Sequence, residues 1–185
     1  MVGGLVAVAT LAVTGCDPRP TEPAVPTRAA RTRPLGHSDP PEAPGVPAGI
    51  EFGRVLRLTG VALDQDSAHA GDQLRLWLYW QSLAAAPEDW RSLTEVVNPV
   101  GRVVAREDDY VGERRRRLSK WVIGDRQIDE VRVRIPGSTP QGEYAVVVSI
   151  LRQDNQTNVR VSNHQGSLPI VSEERVVAAT IEVSA

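Results

Sequence analysis

The side chains equipped for chemistry are few, and most stand apart in the sequence. Two carboxylate pairs, Asp108-Asp109 and Asp125 with Asp129, have the residue types that supply the acid and base of glycoside hydrolysis. Acidic side chains in turn-rich stretches more often accept backbone N–H groups, so neither pair is taken as catalytic. His164 has Ser162 and Ser167 nearby, but no Gly-x-Ser-x-Gly elbow exists to present a nucleophile. Asp64-Gln65-Asp66 with Asp72 offers oxygens suited to Ca²⁺ without the spacing of a known loop, and reads as an Asx turn. No catalytic residue, metal centre or cofactor is expected.

Two groups remain as ligand contacts. Arg114–Arg117, flanked by Lys120, is the one charge cluster. Planar guanidinium forks suit phosphate or an acidic glycan, which singles out Arg115 and Arg116 against the alternative of a solvated loop. Aromatic rings exposed on one sheet face would stack on sugars; buried, the same rings would be core. Trp77, Tyr79 and Trp121 are the candidates, with Trp90 as a further large ring.

The element that must position these rings is Gln73–Gln81. Leu74, Leu76, Leu78 and Trp80 alternate with Arg75, Trp77 and Tyr79, the period of a strand with one buried face. Trp80 shares the leucine face and is expected in the core. From Ile50 onward, short apolar runs are split by turn residues, as in a sandwich. Strands are expected over Glu51–Leu63, with Gly60 a bulge, and over Trp90–Val97. Asn98-Pro99-Val100-Gly101 turns the latter into Arg102–Arg106. Gln127–Ile135 alternates with Val131, Val133 and Ile135 inward, and Glu143–Leu151 is apolar on both faces, as a central strand is. Asp154–Ser167 reads as a hairpin or excursion, and Arg175–Val183 closes the domain with Val177, Ala179, Ile181 and Val183 inward. Pro140-Gln141-Gly142-Glu143-Tyr144 has the form of a tyrosine corner. The expected fold is an all-β, immunoglobulin-like antiparallel sandwich of about seven to nine strands.

The chain has 185 residues, a net charge of −2 and a pI near 5.9, which gives no electrostatic footprint for nucleic acid. One cysteine, Cys16, excludes an internal disulfide. Residues 2–15 are uncharged and end in Leu11-Ala12-Val13-Thr14-Gly15-Cys16. That run is shorter than the roughly 20 apolar residues of a membrane span and has the length of a signal-peptide apolar region.

Residues 17–49 carry nine of the fourteen prolines and only Val25, Leu35 and Val46 as large aliphatics. Such a segment cannot bury enough surface to offset its chain entropy, and is expected to be a disordered or polyproline-like linker. Its 33 residues would reach about 100 Å at roughly 3.1 Å each. The expected organisation is a leader over 1–16, a linker over 17–49 and a sandwich over 50–185.

Two resemblances follow. Leu11–Cys16 resembles the bacterial lipobox, in which small residues precede an obligatory cysteine. The resemblance implies diacylglyceryl transfer to the Cys16 thiol, cleavage before it, and export with anchoring to a cell membrane. Asp17 resembles a retention signal for the inner membrane. The sandwich segments Ala70-Gly71-Asp72, Leu76–Gln81, Asn98–Ala105, Asp109, Trp121–Asp125, Asp129, Pro136 and Pro140–Tyr144 keep an order of their own. That order resembles an uncharacterised bacterial extracytoplasmic β-sandwich module found after family 39-type membrane glycosyltransferases. The likeness covers about Val55–Leu151. Where that family usually has histidine, this chain has Glu95. Together these imply a lipid-anchored, non-enzymatic module that binds an envelope protein or glycan. A carbohydrate-binding module and an envelope hydrolase are the alternatives.

Overall fold

A computed structural model describes residues 39–113, 116–153 and 157–184. The leader, Cys16, most of the linker and Arg115 lie outside the described residues. Eleven strands are formed among the described residues: β1 (Val46–Phe52), β2 (Leu56–Leu63), β3 (Ser67–His69), β4 (Gln73–Ser82), β5 (Trp90–Val97) and β6 (Val103–Tyr110). They continue with β7 (Arg126–Arg134), β8 (Gly142–Arg152), β9 (Val161–His164), β10 (Ile170–Ser172) and β11 (Arg175–Ser184). One sheet runs β7-β4-β2-β1-β9; the other runs β10-β11-β8-β5-β6. All pairs are antiparallel except β3, which lies parallel to β11. The fold is an immunoglobulin-like β-sandwich, with three strands or so more than the sequence pattern suggested.

The additions have local causes. The apolar run 51–63 is not one strand but the hairpin β1–β2, turned by Gly53 and Arg54, both at positive φ (57° and 60°). That turn is held from outside, because Arg54 N–H donates to Ser162 Oγ at 2.9 Å. β1 starts at Val46, so the sheet begins inside the proline-rich stretch. Short β3 occupies what reads as a turn between Asp64 and Asp72. The expected bulge at Gly60 is present as a register shift between Leu58 and Gly60 in the β2–β4 ladder.

β4 lies between β2 and β7, and its Leu74, Leu76, Leu78 and Trp80 are fully buried between the sheets. Trp80 meets Phe52 edge-on at 6.3 Å between centroids, a geometry worth about 0.5–1.5 kcal/mol beyond burial. β8, apolar on both faces, is the middle strand of its sheet. The tyrosine corner forms: Tyr144 Oη donates to the Pro140 carbonyl at 2.9 Å. In the Asn98–Gly101 turn, Gly101 N–H donates to Asn98 O at 2.9 Å and Arg102 N–H to Asn98 Oδ1 at 2.8 Å.

In β11 the inward phase differs from the sequence expectation. Val176 and Ala178 are buried rather than Val177 and Ala179, whereas Ile181 and Val183 are buried as expected. The cause is a bulge: Val177 pairs with Val147 and Ala179 with Val146, which leaves Ala178 as an extra residue. One added residue switches the face that every preceding side chain occupies.

Candidate binding cleft

The aromatic candidates are not a sugar-stacking platform. Trp77, Tyr79 and Trp121 are only 3%, 7% and 3% exposed. Trp77 and Tyr79 do lie on the outer face of their sheet, as the alternation requires, where they form a small cluster with Ala62. What covers them is the end of the proline-rich stretch. Tyr79 Oη donates to the Pro41 carbonyl at 2.6 Å. Pro44 lies so close to Gly60 that a Cβ there would sit 2.2 Å from Pro44 Cβ. Residues 39–45 therefore form a strap across β2 and β4, and the linker expectation fails for its last residues. The physical reason is that two aromatic rings on a solvent-facing sheet supply the apolar surface that prolines lack among themselves. Burial also raises the Tyr79 phenol above its ordinary value.

Trp121 is held elsewhere. Its indole N–H donates to the Arg116 carbonyl at 2.7 Å, and its ring packs on Gly112. Gly112 has φ +84°, and a Cβ there would lie 2.5 Å from Arg116 O and 2.9 Å from the Trp121 ring. Trp90 is core.

Of the arginine cluster only Arg116 and Arg117 lie among the described residues, and these two go to separate partners. Arg116 pairs with Asp125 at 2.8 Å, and Arg117 pairs with Asp89 at 3.7 Å while lying 3.6 Å above the Tyr110 ring. Asp125 also accepts the Val122 N–H at 2.9 Å, which, with Arg116, holds its carboxyl below the usual value. Glu95, where the resembled family has histidine, receives Arg175 at 2.5 Å. Asp72 accepts the His69 N–H at 2.9 Å and Asp64 the Arg75 N–H at 3.3 Å, so both carboxylates bond to the backbone, though neither bond is the two-residue Asx turn expected there. Burial raises the Asp64 carboxyl. His164 sits opposite Ile50 in the β1–β9 ladder.

The carboxylates are regrouped by the fold. Asp109 stands opposite Ser92 in the β5–β6 ladder and so points to the side of the buried Ser92. Asp129 stands opposite Leu78 and shares its inward face. β6 and β7 are the edge strands of their two sheets, and across their open side one carboxylate from each sequence pair reaches a common cleft. Their former neighbours are engaged otherwise: Asp108 with Arg91, Asp125 with Arg116. The cleft measures about 700 Å³, within the roughly 300–1,000 Å³ typical of small-ligand sites. Asp109, Glu113, Asp129 and Arg117 line it with Trp77 and Tyr110, and Pro40 of the strap forms part of its wall.

Asp129 is the perturbed group. Loss of solvent raises its carboxyl to about 6. The Gly112 N–H, which donates to it at 2.8 Å, and the nearby Trp80 indole oppose that rise, whereas Asp109 and Glu113 add to it. Sequence reasoning missed Tyr110 and Glu113, and it missed that Asp109 belongs with Asp129. Only the Asp129 part left a trace: the inward phase of Val131, Val133 and Ile135, continued back two residues, lands on it. No helix among the described residues is long and apolar enough to cross a membrane.

No protein-family model matches the chain, and no curated protein matches it in sequence. Among solved structures, the C-terminal domain of Wzt aligns with a TM-score of 0.51 and 9% identity over 77% of this chain and 83% of that one. A Niemann-Pick type C2 protein from the Japanese carpenter ant aligns at 0.43 with 5% identity, over 73% of this chain and 98% of that one. A CARDB domain from Pyrococcus furiosus aligns at 0.37 with 10% identity, over 70% and 94%. The Wzt likeness bears on the fold alone, and that fold is the β-sandwich.

Proposed function

We propose that the chain is a lipid-anchored, non-enzymatic binding module of the bacterial envelope, with its ligand site in the β6–β7 cleft. The lipobox-like Cys16 supports the anchor, and acyl chains at about 0.8 kcal/mol per buried methylene would hold the protein at a membrane. The observation that carries the site is the meeting of Asp109 and Asp129 in a cleft walled by Trp77 and Tyr110. An envelope glycan is the ligand that such a mixture of carboxylates, donors and apolar surface suits best. The test is retention of the full chain on isolated envelope fractions. Wild type should be retained, and the double variant Asp109→Asn/Asp129→Asn should not. Cys16→Ala should abolish lipid labelling while leaving glycan binding intact.

One observation favours a hydrolase instead: Asp129, raised to about 6 in a cleft it shares with a second carboxyl, suits the proton-donor role of an acid–base pair. That reading requires new reducing ends to appear when the chain meets envelope glycans, and requires Asp129→Asn to stop them.

A further inference from the structure

Single apolar side chains on a surface are ordinary, but two adjacent branched ones at the apex of a turn are not. Val122 and Ile123 are 66% and 72% exposed. They head a turn closed by Asp125 N–H donating to Val122 O at 3.1 Å, with Gly124 at φ +90° in its third position, the form of a type II turn. Further bonds fix it. Val122 N–H donates to Asp125 Oδ2 at 2.9 Å, Gly124 N–H to Ser82 O at 2.9 Å, and Ser82 N–H to Asp125 O at 2.9 Å. Leu118 and Trp121, just before the turn, are buried. The fold thus holds the two side chains outward, and a surface that covers them has no loop to order first.

Charge selects the kind of surface. Residues 116–126 hold Arg116, Arg117, Lys120 and Arg126 against the single acid Asp125, in a chain whose net charge is −2. Arg116 is taken by Asp125 and Arg117 by Asp89. Lys120 and Arg126 flank the apex, are exposed, and have no acidic partner among the described residues. Apolar side chains between unpaired cations match the interface of a bilayer with anionic headgroups. The other adjacent exposed pair, Ile170 and Val171 on β10, is followed by Glu173 and Glu174 and offers no such match.

The route of the tether points the same way. Pro40 shares the cleft wall with Ile128, two residues along β7 from Arg126. The chain leading back to Cys16 therefore meets the domain beside the end of β7 that follows the turn. Residues 17–38 would span about 70 Å at roughly 3.1 Å each, so a domain anchored through Cys16 can set the turn on the same membrane. Tethering also raises the local concentration of lipid, which lets a contact of only two apolar side chains form.

We propose that the 122–125 turn is a second, shallow membrane contact: Val122 and Ile123 enter the interface of an anionic bilayer, and Lys120 and Arg126 meet its phosphates. The inference rests on the lipid-anchor reading for the membrane itself and adds which end of the sandwich faces it.

The experiment takes the full chain, expressed in bacteria with its own leader and labelled at Val and Ile methyls, into nanodiscs doped with a lipid that carries a nitroxide near its headgroup. The discs are phosphatidylcholine with or without phosphatidylglycerol. With phosphatidylglycerol, the Val122 and Ile123 methyl signals should broaden at least threefold more than that of Val100, which is 85% exposed but lies past the end of β5 far from Ser82. Ile123→Ser should cut the Val122 broadening at least threefold, as should Lys120→Gln/Arg126→Gln; all three side chains are exposed, so the fold is kept. Equal broadening of Val100 would overturn the turn as the contact. Broadening that ignores phosphatidylglycerol would overturn the role given to Lys120 and Arg126. A chain that stays with the discs while both methyls remain sharp overturns the docking surface and leaves the anchor standing. A chain the discs do not retain overturns the anchor, and the docking surface with it. Methyl shifts caused by soluble polygalacturonate, without broadening in the discs, would overturn the bilayer in favour of an acidic glycan.

Discussion

Tyr79 Oη donates to the carbonyl of Pro41, 38 residues earlier, at 2.6 Å across the outer face of the sandwich. This bond fastens a segment with no regular structure onto a sheet face that the strand pattern leaves open. Removing it in Tyr79→Phe keeps the ring and deletes one hydrogen bond, a loss of about 1 kcal/mol. Hydrogen exchange and proteolysis should increase over residues 39–45, while the β4 amides keep their protection. Equal protection of the strap in variant and wild type would show that the bond does not hold it.

Gly60→Ala attacks the same strap from below. The new methyl group would collide with Pro44, whose ring has no rotamer by which to withdraw. The strap should lift, and the Trp77 emission should shift to the red with readier acrylamide quenching. Core tryptophans Trp80 and Trp90 should not respond.

Asp129→Asn tests the raised carboxyl through stability. In the folded state the group titrates near 6 instead of 3.8, so between those values the folded protein holds a proton that the unfolded chain has released. Stability from this group is therefore full below about pH 4 and falls as pH rises through 6, by about 3 kcal/mol at most. Asparagine keeps an oxygen for the Gly112 N–H and carries no charge. The variant should melt several degrees above wild type at pH 7.5 and close to it at pH 4.5. A difference independent of pH would contradict the assignment.

Gly112→Ala should be the most damaging single change. It forces a side chain into a left-handed backbone position and against both the Arg116 carbonyl and the Trp121 ring. A loss of about 2–4 kcal/mol is expected, read as a lower Tm and a weakened near-UV signal from Trp121. Gly101→Ala, also at positive φ but with nothing within 4 Å of the added carbon, should lose clearly less.

The parts of the fold that were legible in sequence were those written in local alternation. β4, β5 and β7 lie within a residue or so of their expected bounds, because inward leucines and valines at period two leave one register that buries them. The β1–β2 hairpin was unreadable because its turn uses Arg54 at positive φ, which no composition signal marks. The β11 phase failed at a bulge, where Ala178 is as apolar as its neighbours. The site was hidden for a different reason. Its carboxylates pair across two sheets, so Asp109 and Asp129 are partners only through the order of strands, while their adjacent acids Asp108 and Asp125 go to arginines. The alternation left open whether Trp77 and Tyr79 are exposed or buried, because their cover comes from a stretch whose composition promises none.

The strap has a mechanical consequence. Followed back from β1, the chain passes Pro44 over β2, Pro41 over β4 and Pro40 beside β7, so it crosses the strands instead of running along them. A pull on residue 39 would load these contacts one after another, Pro40 first and Pro44 last, as in peeling tape from a surface. Sequential loading yields at low force, well before the interlocked ladders behind it share the strain. The strap would thus give way first under tension, and the earliest thing it gives up is the wall it lends to the cleft.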